Sequence, residues 1–248
     1  MYNPFSLKSK TILVTGASSG IGRAIAIECS KMGAVLIISA RNEERLYETL
    51  SQMDGTGHSV VVADLNYEED RNRLVNASPL LNGLVNCAGI IKTLPFQFIN
   101  DKSLSNIMSV NFISPVLLSV ELVKKKKILK NSSIVFISSI SGVVCAGGGN
   151  SMYSASKGAI NGVMKNMALD LAPKCIRVNS VNPGMVETHI FDSGTITFEQ
   201  LEEDKKRYPL KRYGKPEEIA YSVIYLLSDA CSWVTGSSIV LDGGYTLL

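Results

Sequence analysis

The chain alternates between short runs of consecutive apolar, often β-branched residues and longer stretches in which apolar positions return every three or four residues. Runs of the first kind read as strands buried on both faces, and stretches of the second kind as helices laid against them. Seven runs predict strands, at residues 11–14, 34–39, 59–63, 83–87, 133–138, 177–181 and 238–241. Helical periodicity covers 22–31, 43–52, 103–125, 153–171 and 216–227. The last of these opens on Pro216, Glu217 and Glu218, a proline suited to the first turn and acids suited to the positive end of the helix dipole. Strand and helix in alternation predict βαβ units, hence an α/β fold with one parallel sheet between two layers of helices. Nothing in the pattern reads as a linker or a repeat, so one domain over 1–248 is expected. Residues 189–215 lack clean periodicity and follow the sixth strand's carboxyl end, the edge where such sheets bind ligands, which makes this segment a candidate substrate lid.

Composition narrows the setting. A hydrophobic share of 46% with 19% charged residues suits a folded, water-soluble body, and a formal charge of +3 does not argue for nucleic acid or an anionic membrane as partner. No apolar stretch is expected to approach the roughly 20 residues of a membrane span, and the opening MYNPFSLKSK lacks the pattern of a secretory signal, so a cytoplasmic location is expected. The five cysteines are odd in number and widely spaced, which reads as reduced thiols, and no cluster has metal-ligand spacing, so no metal is expected. Neither His58 nor His189 has a nucleophile or second ligand beside it, and both read as structural or surface residues.

Candidate chemistry begins after the first strand, at Gly16-Ala17-Ser18-Ser19-Gly20-Ile21-Gly22. A glycine-rich turn between a strand and a helix amino end places free backbone N–H groups and the helix dipole around an anion, as a dinucleotide pyrophosphate requires. The second strand ends at Ala40-Arg41 where an NAD-selecting protein would carry a carboxylate for the ribose hydroxyls. A guanidinium there pairs with a 2′-phosphate, so NADP(H) is favoured over NAD(H). Asp64, followed by Leu65, stands where it could accept from an adenine amino group, and Asn86-Cys87-Ala88-Gly89 ends the fourth strand with small residues for close cofactor approach. Tyr153 and Lys157, four apart, share one helix face, where an ammonium would lower the phenol pKa toward working pH. Ser139, fourteen positions before Tyr153, could be folded back by the glycine-rich 142–150 loop so that two hydroxyls meet on one carbonyl oxygen.

Taken in this order and spacing, with Asn111, with Pro183, Gly184 and Thr188, and with the terminal Leu241-Asp242-Gly243-Gly244, these elements resemble the short-chain dehydrogenase/reductase family over essentially the whole chain. The resemblance implies a Rossmann-type doubly wound seven-stranded sheet and a sequential transfer of hydride and proton. It implies that Tyr153 is the proton donor in reduction, that Ser139 holds and polarises the substrate oxygen, that Lys157 binds the nicotinamide ribose while tuning Tyr153, and that Asn111 holds a relay water against Lys157. Pro183, Gly184, Val186 and Thr188 match the loop that meets the nicotinamide carboxamide. Cys87 replaces the family's usual second Asn, and the segment between Asp64 and Asn86 is shorter than usual, which predicts a trimmed outer helix. Within the family the chain looks most like the 3-oxoacyl-(acyl-carrier-protein) reductases, which use basic residues to dock an acidic carrier. Lys124, Lys125, Lys126, Lys127 and Lys130 offer such residues, their bland alternative being a solvated helix end. The remaining readings are a sugar, polyol or other small-metabolite dehydrogenase, separable only by lining residues such as Ile91, Ile140, Cys145, Met185 and Phe191, and a non-catalytic dinucleotide-binding regulator. A homotetramer, or a homodimer, is what the resemblance implies for assembly, through the 103–125 and 153–171 helices and the carboxyl-terminal strand.

Overall fold

The computed structural model describes residues 2–188 and 198–248. Seven strands, β1 (Thr11–Thr15), β2 (Val35–Ala40), β3 (Ser59–Val62), β4 (Leu81–Asn86), β5 (Ile128–Ile137), β6 (Arg177–Pro183) and β7 (Ser238–Leu241), form one parallel sheet in the order β3-β2-β1-β4-β5-β6-β7. The helices between them are α1 (Gly20–Lys31), α2 (Glu43–Leu50), α3 (Glu68–Ala77), α4 (Asp101–Met108), α5 (Ser114–Lys124), α6 (Ser151–Leu171), α7 (Phe198–Lys205) and α8 (Pro216–Leu227). Strand side chains alternate between two cores, as a sheet covered on both faces demands. Ile12, Val14, Leu36, Ile38 and Val85 join α1, α2 and α8 on one side, while Leu13, Ile37, Leu84, Ile134 and Phe136 join α3, α5 and α6 on the other.

The strand order reverses between β1 and β4, and a crevice opens at the carboxyl ends of the strands there, the place such sheets bind ligands. The turn after β1 is tied to the end of β4 through Thr15, whose hydroxyl donates to Val85 O and accepts from the N–H groups of Cys87 and Ala88. His58 is structural, accepting the Leu36 N–H at Nδ1 with its Nε2 2.9 Å from Asp54 O; His189 lies outside the described residues.

Three further features bear on the sequence expectations. The segment between Asp64 and Asn86 still holds a complete ten-residue helix, α3, because Leu74 and Val75 are needed to cover the sheet. The helix expected over 103–125 is broken at Ser109–Ile113 by a π-turn, yet the 24 residues Asp101–Lys124 run on as one helix. With a mean hydropathy of 1.5 it is long and apolar enough to cross a membrane by length and composition, although Ile107, Leu118 and Leu122 are spent on the core beside the sheet. The lysine run, finally, lies at the opposite edge of the sheet from the crevice, since α5 ends and β5 begins there. Its members close the end of α3: Lys125 Nζ reaches Asn72 and Asn76, and Lys127 Nζ reaches Ser78 O.

Candidate active site

One cleft at the carboxyl edge, about 1200 Å³, gathers nearly every residue singled out in the sequence: Gly16, Ser18, Ser19, Gly20, Ile21, Gly22, Arg41, Asp64, Leu65, Ala88, Gly89, Ser139, Tyr153, Lys157, Pro183, Gly184, Val186 and Thr188. Asn86 and Asn111 do not line it. Asn86 is buried behind the cleft, its side-chain N–H donating to Ser119 Oγ, and Cys87 lines the cleft in its place. Residues the motif reading passed over, Ser39, Asn42 and Arg45, line the same end of the cleft as Arg41. They carry no short-range signal, because only the packing of α2 against β2 turns them inward.

The amino end of α1 is built to receive an anion. Ser19 stands at its cap position but makes no capping bond with its side chain, and no acid occupies the first turn, so the N–H groups there keep their charge for a ligand. α2 and α4, by contrast, close their own ends with Asn42 and Asn100. The turn leaves no room for side chains. Gly16 has φ +68°, and a Cβ on it would stand 2.8 Å from Ala88 Cα; a Cβ on Gly22 would meet Gly16 O. Across the cleft, Thr188 brings its methyl within 3.3 Å of where a Gly20 Cβ would stand, and its buried hydroxyl has no partner among the described residues. Ser39 Oγ, also buried, has none either. An uncapped helix end, a glycine cradle and two orphaned hydroxyls fit a dinucleotide laid from Arg41 toward Thr188. At the outer end Arg41 is two-thirds exposed, its nearest acid being Asp64 at 3.9 Å.

The inner end holds the reactive group. Ser139 closes β5 and Tyr153 sits in the first turn of α6. The turn at Ile140–Cys145 folds back between them, with Gly142 at φ +80° packed so tightly that a Cβ would strike Ser154 O. This sets the Ser139 hydroxyl beside the Tyr153 phenol, both facing the cleft. Lys157 is buried one turn further on, its Nζ 5.7 Å from the Tyr153 ring centre and donating to Ile137 O at 2.8 Å. Burial drives the Lys157 pKa down to about 8. Burial also raises the Tyr153 phenol, against a lowering by the Ser139 hydroxyl, so the expected depression of this phenol by Lys157 is not what the free chain shows. Cys87, beside both, is pushed up to about 12 by burial and stays a thiol.

Asn111 does not line the cleft. Its side chain accepts from Ile90 N at 2.8 Å, donates to Ile90 O at 2.9 Å and donates to Ser156 Oγ at 3.1 Å, behind Lys157. Gly89 lies over both, since a Cβ there would stand 3.4 Å from Asn111 Oδ1 and 3.5 Å from Lys157 Nζ. Beneath them Asn161 fastens α6 to β5, β6 and β7 through Ser138, Ser180, Asn182 and Ser238. On the substrate side the cleft is lined by Ile91, Ile140, Cys145, Met185, Leu201, Tyr208 and Tyr213; Phe191 lies outside the described residues.

A fold and a site of this kind belong to the dinucleotide-dependent oxidoreductases, and comparison with known proteins gives the family. Residues 16–246 match the family model described as enoyl-(acyl carrier protein) reductase. The chain is 37% identical to a tropinone reductase homologue of Arabidopsis thaliana, over 98% of this chain and 93% of that one. It is 33% identical to the 3-oxoacyl-(acyl-carrier-protein) reductase of Rickettsia felis, over 98% and 99%. Among solved structures, a proposed NAD(P)-dependent gluconate 5-dehydrogenase of Beutenbergia cavernae with NADP at low occupancy superposes with a TM-score of 0.87 at 30% identity, covering 99% of this chain and 100% of that one. The chain belongs to the short-chain dehydrogenase/reductase family, whose members are oxidoreductases that bind a nicotinamide cofactor.

Proposed function

We propose that the protein is an NADPH-preferring ketoreductase, and the observation that carries this reading is the meeting of the Ser139 and Tyr153 hydroxyls in the cleft with Lys157 behind them. The bound cofactor supplies the hydride. Ser139 holds the carbonyl oxygen, and Tyr153 gives it the proton that balances the hydride reaching carbon. Burial favours the protonated form of Tyr153, the form a donor needs. The Lys157 ammonium spends one of its three donors on Ile137 O and turns the others to the nicotinamide ribose and to a water held with Asn111. Gly16 to Gly22 and Thr188 hold the pyrophosphate, Asp64 and Leu65 the adenine, and Pro183, Gly184 and Val186 the carboxamide. Arg41, joined by Arg45, supports the preference for a 2′-phosphate.

The wall favours a carbonyl flanked by apolar groups, because Ile91, Ile140 and Met185 line it, Ile91 and Met185 being exposed. A 3-oxoacyl thioester meets that description, with an acyl carrier protein as a further partner. The exposed lysines at 124–126 and 130 offer such a carrier a basic surface at the far edge of the sheet. The small-metabolite reading is supported by the relatives described as tropinone reductase homologues and by the gluconate dehydrogenase neighbours. In the proposal the segment 189–215 closes over substrate; its described part brings Leu201, Tyr208 and Tyr213 to the cleft wall. Five unpaired cysteines suit a reducing, cytoplasmic setting, and the exposed Leu104, Ile113, Leu117 and Val120 on the long helix suit assembly as a homotetramer.

The test is steady-state oxidation of NADPH and NADH with acetoacetyl thioesters, alicyclic ketones and ketosugars, with Tyr153→Phe as control. NADPH-linked thioester turnover supports the oxoacyl reading, and activity confined to another carbonyl moves the protein to the metabolite reading. No turnover on any carbonyl, or turnover that survives in Tyr153→Phe, overturns the catalytic assignment.

A further inference from the structure

The π-turn in the long helix is held shut from outside by a residue of the adenine wall. Its closing bond runs from Ser114 N–H to Ser109 O, a five-residue reach in place of the usual four. The hydroxyls of these same two residues donate to one atom: Ser109 Oγ lies 2.9 Å, and Ser114 Oγ 3.0 Å, from Asn66 Oδ1. Asn66 follows Asp64 and Leu65 along the cleft, and its own N–H donates to Asp64 Oδ1 at 3.1 Å. That strip is anchored in turn, since Asp64 N–H donates to Asp70 and the buried Arg71 donates to Leu65 O.

Asn111 sits midway through the turn. A π-turn is an insertion of one residue into a helix, and its relaxation to α-helical register would rotate every following residue by about 100° relative to those before. Asn111 would then lose the three bonds to Ile90 and Ser156 that fix it behind Lys157. A contact spanning the turn opposes that change along with those bonds, and the Asn66 carbonyl spans it.

We propose that Asn66 is a positioning residue: it clasps the π-turn, keeps Asn111 behind Lys157, and joins the adenine wall of the cleft to the proton-transfer end. The proposal rests on the role assigned to Asn111 under the proposed function. Asn66→Ala removes the acceptor. Asn66→Asp keeps an oxygen in the same place and serves as the conservative rescue. Ser109→Ala with Ser114→Ala removes the donors instead.

Amide hydrogen exchange across residues 109–114, which needs no turnover, is measured alongside the pH profile of kcat and the affinity for NADPH. With the clasp gone, exchange at these amides is expected about tenfold faster. kcat is expected to fall five- to tenfold in Asn66→Ala and in the double serine variant, with its pH profile displaced and NADPH affinity within twofold of the parent. Asn66→Asp should recover most of both losses. Unchanged exchange overturns the clasp, and faster exchange with an unaltered kcat and pH profile overturns the positioning role. A parent protein without turnover would count against the proposed function alone, because the exchange result would still decide the clasp.

Discussion

Replacing Asn161 by leucine tests whether the catalytic helix is fastened by polar bonds or merely by packing. Asn161 is buried, and its amide makes five contacts. Its N–H groups donate to Ser138 Oγ (2.7 Å) and Lys157 O (3.0 Å); its oxygen accepts from Ser180 Oγ (2.9 Å), Ser238 Oγ (2.8 Å) and Asn182 Nδ2 (3.2 Å). Leucine has similar bulk, so the change removes bonds with little cavity. Two groups keep alternatives, since Ser138 still donates to Lys157 O and Ser180 still reaches Ser238 Oγ. The Asn182 amide, fully buried, is left without the partner it had, whereas the hydroxyl of the exposed Ser238 can turn to water. At about 1–3 kcal/mol for a stranded buried donor, the expected loss is about 2 kcal/mol. For a chain of this length that lowers Tm by roughly 4–8 °C. Urea unfolding and thermal scans measure it, with Asn166→Leu on the exposed face of the same helix as control, expected within about 0.5 kcal/mol of the parent. A loss below about 1 kcal/mol for Asn161→Leu would refute the network's part in holding Tyr153 and Lys157.

Arg41→Ala should weaken NADPH at least tenfold while leaving NADH within about twofold, as a charge-assisted pair to a 2′-phosphate requires; equal weakening of the two, by fluorescence titration, removes the phosphate contact. NADPH affinity should be full below about pH 8 and decline above it, because binding uses the charged form of Lys157, whose pKa in the free chain is about 8. Lys157→Met should bind more weakly with no decline across that range, and a parent affinity flat from pH 7 to 9.5 contradicts the assignment. The forked Arg212–Glu218 pair holds the Glu218 carboxyl down at about 2, so its contribution is complete above the ordinary carboxylate value near 4.5 and is lost as pH falls toward 2. Both side chains are about half exposed, so solvent screening limits Glu218→Gln to about 0.5 kcal/mol at pH 7, a difference that should shrink on acidification; a constant difference from pH 7 to 2 excludes the ion pair as its source.

Much of this protein was decided by local pattern. Runs of consecutive apolar residues located all seven strands, with β5 starting five positions earlier than predicted, at Ile128, since burial of a strand is a property of consecutive residues. The glycine turn and the Tyr153–Lys157 spacing were legible for the same reason: strand, turn and helix end are contiguous, and four residues make one helical turn. Tertiary structure decided the rest. That Asn86 faces Ser119 and leaves the cleft to Cys87, that Lys125 and Lys127 close α3 at the edge away from the chemistry, and that burial lifts the Tyr153 phenol all depend on neighbours distant in sequence. So does the clasp of Asn66 on Ser109 and Ser114, formed across more than forty positions of chain. Spacing along a chain fixes which side of an element a residue occupies, but hydrogen-bond partners and desolvation are set by whatever the rest of the fold brings within a few ångströms of it.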